Sequence, residues 1–192
     1  MKIKRKTILN DEDYLRQISK TVDFVDKTYK DEIKLLEQFC LQTQCFALAA
    51  VQIGIPKRMI YLKNTTLDVL LEDMSHNESR ILINPIVTSK KGYTKYWEAC
   101  LSCLDNMGLV SRPYMMDVQY YDENGTQHRE TFEGFEATIL SHELDHLDEI
   151  LHMDIAEKVL NMPLKERKAC RKEHPYEIIS KTCSYDNGLM KR

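Results

Sequence analysis

The stretch SHELDHLDEI (141–150) sets His142 and His146 four residues apart, with Glu143 directly after the first. On a helix, positions i and i+4 lie one turn apart on the same side, so both imidazoles can aim at one ion. Glu143 is offset around the helix and can approach a water on that ion without binding the ion itself. H-E-x-x-H therefore reads as two metal ligands with a general base beside them, a hydrolytic arrangement. A bland alternative is a helix that merely happens to hold two histidines. The face before them, Phe135, Thr138 and Ile139, argues against that, because a buried face ending in two imidazoles needs partners for them.

Two protein ligands do not complete a site. The glutamates Glu157, Glu166 and Glu173 follow downstream, and a cysteine is available upstream. His152 is six residues past His146, too far around a helix to share the site easily, and Asp145 reads as a supporting or surface group. Cys100, in YWEACLSCL, closes a strand-like run, and thiolate is a strong, soft ligand. Cys100-x-x-Cys103 also has the spacing of a redox pair, but such pairs open a helix in a βαβ context that is missing here. A third piece is CFALAAVQIGIP (45–56), an apolar run with one polar residue, Gln52, near its end. It reads either as a buried strand with Gln52 on its wet side or as an amide donor reaching into a dry site.

The elements that must position these residues follow from periodicity. A helix is expected over about 135–147, because Phe135, Thr138, Ile139, His142, Asp145 and His146 recur at helical spacing. A helix over 21–42 would use Val25, Tyr29, Ile33, Leu36 and Cys40. RMIYL (58–62), RILINPIVTS (80–89) and YTKYWEACLS (93–102) read as strands, the second demoted by Pro85 to an edge or a bulge. DVQYYDENGTQHRETF (117–132) reads as a hairpin turning at Asn124-Gly125. MPLKERKACRKEHP (162–175) is a further helix, with Pro163 in its first turn and Pro175 ending it. Its Lys/Arg cluster reads as a solvated face first and an RNA contact second. Strands followed by one helix predict an α+β fold, with antiparallel sheets folded around a central metal-binding helix. Residues 1–155 would form the catalytic domain, and 156–192 a C-terminal helix and tail of the same domain.

The 192 residues are 43% hydrophobic and 30% charged, enough for one domain with a sizeable core. A net charge of -3 gives no global field for DNA. The basic N-terminus is not followed by an apolar run, and no stretch reaches the length of a membrane span, so neither a secretory signal nor a membrane partner is expected. Six cysteines in a chain of this kind fit a reduced, cytoplasmic setting better than a disulfide framework.

Taken in order, the three pieces resemble the peptide deformylase family, whose pattern is G-x-G-L-A-A-x-Q, then E-G-C-L-S, then Q-H-E-x-D-H. Here they stand as CFALAAVQ (45–52), EACLS (98–102) and SHELDH (141–146), and the likeness covers roughly residues 8–155. The resemblance implies that Cys100, His142 and His146 bind one divalent metal, Fe²⁺ natively, with Zn²⁺, Ni²⁺ or Co²⁺ able to replace it. Glu143 would act as base and acid, and Gln52 and the Leu101 N–H would stabilise the oxyanion. The substrate would be N-formylmethionyl peptides of new chains, with the ribosome near the nascent-chain exit as a further partner. Phe135, Thr138 and Ile139 would hold the methionine side chain, and Ala47 and Leu48 would pair with the peptide backbone. Glu98 and Arg112 would pair behind the Cys100 loop, or else form a surface ion pair of little weight. The chain departs from the pattern at Cys45, Ala47, Ala99, Ser141, Glu149 and Cys103-Leu104. These departures keep two other readings open: a weak or inactive protein that binds formylated or nascent peptides, and another metallo-amidase or peptidase.

Overall fold

The structure is a computed structural model and describes residues 4–63 and 78–186. Its elements in chain order are α1 (Glu12–Leu15), α2 (Tyr29–Thr43), β1 (Ala47–Ala49), a 3₁₀ turn (Ala50–Ile53), β2 (Met59–Lys63), β3 (Ser79–Ala99), β4 (Asn106–Arg112), β5 (Met115–Tyr121), β6 (Gln127–Glu133), α3 (Gly134–Leu147), α4 (His152–Ile155), β7 (Lys158–Asn161), α5 (Leu164–Glu173) and β8 (Glu177–Ser184). All strand pairings are antiparallel, and the fold is α+β.

β2 shows how the sheet is covered. Its side chains alternate, so Met59 and Tyr61 join Ile33, Leu36 and Phe39 of α2, while Ile60 and Leu62 join Ala137, Leu140 and Leu144 of α3. All five residues of the strand are buried. The helix bearing HELDH is thus fixed by its own apolar face against β2, β5 and β6, which supply Leu62, Val118 and Phe132.

The two strands expected over 80–89 and 93–102 are one, β3, which ends at Ala99. It pairs with β2 and β5 along its first half and with β4 and β8 along its second. Pro85 marks a bulge in this interior strand rather than an edge: register shifts between Ile83 and Ile86, and Asn84 takes φ 52°. Asn84 Oδ1 accepts from the Val22 N–H at 2.8 Å, and its Nδ2 donates to the Val22 carbonyl at 3.0 Å. The chain continues through Gly92 at φ 68°, where a Cβ would fall 2.4 Å from the Ser180 carbonyl of β8.

The helix expected from residue 21 begins only at Tyr29. Asp23 and Asp26 accept from the N–H groups of Val25 and Thr28, local turns that compete with helix, and Val25 is exposed. The β5–β6 connection is a five-residue loop rather than a two-residue turn. Asp122 Oδ1 accepts from both the Asn124 and the Thr126 N–H at 2.9 Å. The helix expected over 162–175 forms as α5, with Pro163 at its N-cap. On either side of it, β7 pairs with β4 and β8 with β3, so residues 158–161 and 177–184 extend the same sheet. Among the described residues no helix is long and apolar enough to cross a membrane.

Candidate active site

Four elements converge. β3 ends by delivering Glu98 and Cys100, α3 delivers His142, Glu143 and His146, the 3₁₀ turn delivers Gln52, and β4 ends at Arg112. The ligand atoms of Cys100, His142 and His146 lie within 4.8 Å of one another, and Cys100 Sγ is 3.2 Å from His146 Nε2. Among the described residues this is the one group of three such side chains that could hold a metal ion. The downstream alternatives lie elsewhere. Glu157 pairs with Lys95 at 2.9 Å, and Glu166 and Glu173 are exposed on α5.

The histidine orientation is set from behind. His142 Nδ1 lies 2.8 Å from Glu98 Oε2, so Nδ1 donates to that carboxylate and Nε2 is left for the site. Glu98 is itself held by Arg112, whose Nε reaches Oε1 at 2.7 Å and Nη2 reaches Oε2 at 2.9 Å. Arg112 also pairs with Asp145 of α3. The ion pair expected of Glu98 and Arg112 is therefore buried and linked to an imidazole, not a surface contact. Burial alone would raise the Glu98 pKa, but Arg112 and His142 overcome it and hold the carboxyl well below the usual range. Burial likewise opposes the His142 imidazolium, and Cys100 and Glu98 outweigh it, raising its pKa. The Cys103 thiol and the two histidines together lower the pKa of Cys100 and favour its thiolate, the form that binds metals.

Gln52 is 1% exposed, which excludes its place on a wet strand face. Its Oε1 accepts from the Ala49 N–H at 2.9 Å, and its Nε2 donates to Ser102 Oγ at 3.1 Å and Cys100 Sγ at 3.3 Å. Glu143 is also buried, with Oε2 accepting from the same Ala49 N–H at 2.8 Å. Burial raises its pKa. The Leu101 N–H makes no hydrogen bond among the described residues.

Gln52, Glu98, Cys100, His142 and Glu143 line a cleft of about 380 Å³, and His146 is buried beside Cys100. Ala47, Leu48, Leu101, Phe135, Thr138 and Ile139, all singled out in the sequence, line it. Tyr96 and three residues of α5 line it too and were not anticipated. Tyr96 had a signal, since it stands two residues before Glu98 on the same strand and so on the same face. The α5 residues had none.

His152 was set aside as too far around, yet its ring packs 5.5 Å from that of His142. It belongs to α4, not to an extension of α3, and Gly108 makes room for it: a Cβ there would fall 2.9 Å from His152 Cδ2. Burial lowers its pKa to about 4. It contributes no atom to the three-residue group.

The departures around the cleft meet little strain. Cys45, Ala47, Ala99 and Ser141 all lie outside the positive-φ region, so a Cβ is accommodated at each. Leu104 at φ 55° and Glu149 at φ 63° are the exceptions, both in the left-handed region that favours glycine.

The family model for polypeptide deformylase matches residues 5–161. The peptide deformylase of Pelagibacter ubique is 37% identical over 150 residues, 76% of this chain and 81% of that protein. That of Rhizobium meliloti is 37% identical over 164 residues, 83% of this chain and 88% of that protein. Among solved structures, a probable peptide deformylase from Synechococcus phage S-SSM7 superposes with a TM-score of 0.67 at 33% identity, covering 80% of this chain and 99% of that one.

Proposed function

Because the chain belongs to the polypeptide deformylase family, a family of metal-dependent hydrolases that remove the N-formyl group from new polypeptides, we propose that the cleft above carries out that reaction with the following division of labour. The observation that carries it is the convergence of Cys100, His142 and His146, the first two lining the cleft, with Glu143 and Gln52 lining it beside them. One thiolate and two imidazoles suit a divalent first-row ion, and we assign Fe²⁺ as the native one, with Zn²⁺, Ni²⁺ or Co²⁺ as substitutes. Such an ion supplies Lewis acidity, acidifying a water and polarising the formyl carbonyl.

The chain's own residues do the rest. Glu143 takes the proton of the attacking water and returns it to the leaving amine nitrogen. Gln52 Nε2 and the Leu101 N–H donate to the formyl oxygen as charge gathers on it. Glu98, fixed by Arg112, keeps His142 in the tautomer that presents Nε2. The peptide backbone runs along β1, the edge strand of its sheet, beside Ala47 and Leu48. HELDH makes α3 the central catalytic helix of one domain that includes residues 156–186; the last six residues of the expected tail lie outside the described residues. We place the reaction in the cytoplasm, on chains leaving the ribosome.

The test is formate release from formyl-Met-Ala-Ser against cleavage of the unblocked peptide. A chelator should abolish formate release, and added Fe²⁺ under anaerobic conditions should restore it. Cleavage of the unblocked peptide, or turnover indifferent to the chelator, would count against this assignment.

The methionine side chain is assigned to Phe135, Thr138 and Ile139, with Tyr96 as the facing wall. Tyr176, beyond α5, backs that wall. Its ring meets Phe135 edge-on at 5.4 Å and Tyr96 at 5.9 Å, and its hydroxyl lies 3.2 Å from Thr138 Oγ1. Tyr176→Ala should raise KM for the methionyl peptide by about three- to tenfold, the effect of losing one well-packed apolar contact. It should also narrow the preference for methionine over phenylalanine. An unchanged preference would remove Tyr176 from the pocket.

A further inference from the structure

The basic run of residues 162–175 is divided by the fold. On α5, Lys165, Lys168 and Lys172 are exposed, whereas Arg167 and Arg171, one turn apart, are half-buried and line the cleft. Arg171 is held in place: its Nε donates to the Trp97 carbonyl at 3.3 Å, and its guanidinium lies 5.3 Å over the Tyr96 ring. Its two terminal nitrogens have no partner among the described residues. Arg167 donates from Nε to the Met162 carbonyl at 3.1 Å and from Nη2 to the Leu104 carbonyl, with Asp105 3.6 Å away, leaving Nη1 unengaged.

Asp105, the acidic neighbour of Arg167, is not among the residues that line the cleft. The cleft's ionisable carboxylates are Glu98, already shared by Arg112 and His142, and Glu143 beside the proposed metal ligands. Tyr96 lies under Arg171, and Leu164, Ala99, Thr43, Gln44, Cys45 and Phe46 also line the cleft. An anchored guanidinium with its terminal donors unspent is a planar fork fitted to a carboxylate. Apolar neighbours limit the water that would otherwise compete for it.

We propose that Arg167 and Arg171 form a carboxylate-reading subsite. It selects peptides with an acidic side chain among the few residues after the formylated one. This rests on the deformylase reading and assigns a substrate preference to the same cleft.

The test uses the metal-replete full chain and formyl-Met-Ala-Xaa-Ala peptides, with Xaa Asp, Asn or Lys, each as amide and as free acid. At low salt, kcat/KM should favour Asp over Lys about tenfold, mostly through KM, and the ratio should fall to about twofold near 0.5 M salt. Arg171→Ala and Arg167→Ala should each bring the ratio toward one. Lys168→Ala, on the outer face of α5, should leave it as it is. Since Arg171 also covers Tyr96, Arg167→Ala and the salt series read the charge effect apart from packing. A wild-type ratio below two at low salt, or a ratio untouched in both arginine variants, overturns the subsite. So does a charge response confined to the free acids, which would mean that the chain end is read. Should no peptide release formate, the activity reading fails separately. Equilibrium binding of the Asp and Lys peptides then still decides the subsite.

Discussion

Glu143→Gln is expected to lower kcat/KM for a formylated peptide by about 10²–10⁴, the usual contribution of a positioned general base. The substitution is nearly isosteric and keeps an oxygen for the Ala49 N–H, which Glu143 Oε2 now accepts at 2.8 Å. It removes only the ability to hold a proton in transit. Metal content should match wild type, because the three proposed ligands are other residues. Thermal stability should hold or rise. Burial already raises the Glu143 pKa, so the fold works against the carboxylate, and a neutral amide relieves that strain. Turnover within threefold of wild type, at equal metal content, would remove Glu143 from proton transfer. A loss of metal alongside activity would assign it to ligation instead.

The largest expected effect on stability comes from Arg112→Ala. Arg112 is 3% exposed and pairs with Glu98, itself 5% exposed, and with Asp145. Removing the guanidinium strands a buried carboxylate whose remaining partner is His142, and breaking such pairs costs about 3–5 kcal/mol. In a domain of this size that is a fall in Tm of roughly 10 °C. Lys95→Ala, which breaks the more exposed pair with Glu157, should cost at most about 1 kcal/mol. The pH dependence has a definite sign. The folded-state pKa of Glu98 is depressed, so its stabilisation is present above the ordinary carboxylate pKa of about 4.3 and is lost only as pH falls through the folded value. In the variant, burial works unopposed by Arg112 and the carboxyl takes up a proton at higher pH. The gap between the two proteins is therefore widest near neutrality and closes in acid. A gap that is flat with pH would show that the cost is packing rather than charge.

The sequence was most legible where chemistry coincides with a single element. His142, Glu143 and His146 sit on one helix, and the period of 3.6 places them without reference to anything else. The third ligand candidate was not legible in that way. Cys100 and the glutamates at 157, 166 and 173 were open choices by spacing, because loop and strand paths decide which returns to α3. Only the resemblance ranked Cys100 first, and the structure brings it to the two histidines. Pro85 signalled an irregularity but not that the strand continues through it, which depends on Asn84 bonding to Val22 across 62 residues. The start of α2 was misplaced because apolar spacing says nothing of aspartates that bond their own backbone. His152 and the α5 arginines were invisible for the same reason as each other. Each approaches the site from an element whose docking is set by long-range pairing, not by local pattern.

Order of synthesis gives that long-range pairing a further meaning. The groups proposed to hold the ion and move the proton all precede residue 147, and the sheet and helix that carry them precede it too. One part of the cleft lining comes later, Leu164, Arg167 and Arg171 of α5, and Tyr176 packs behind Phe135 later still. Chains emerge N-terminal end first, at about 5–20 residues per second. A growing chain would therefore own a place for its ion, and the side chains proposed to hold methionine, some seconds before it owned the α5 arginines proposed to read the residues that follow. The preference proposed for acidic residues would be the last property to be made.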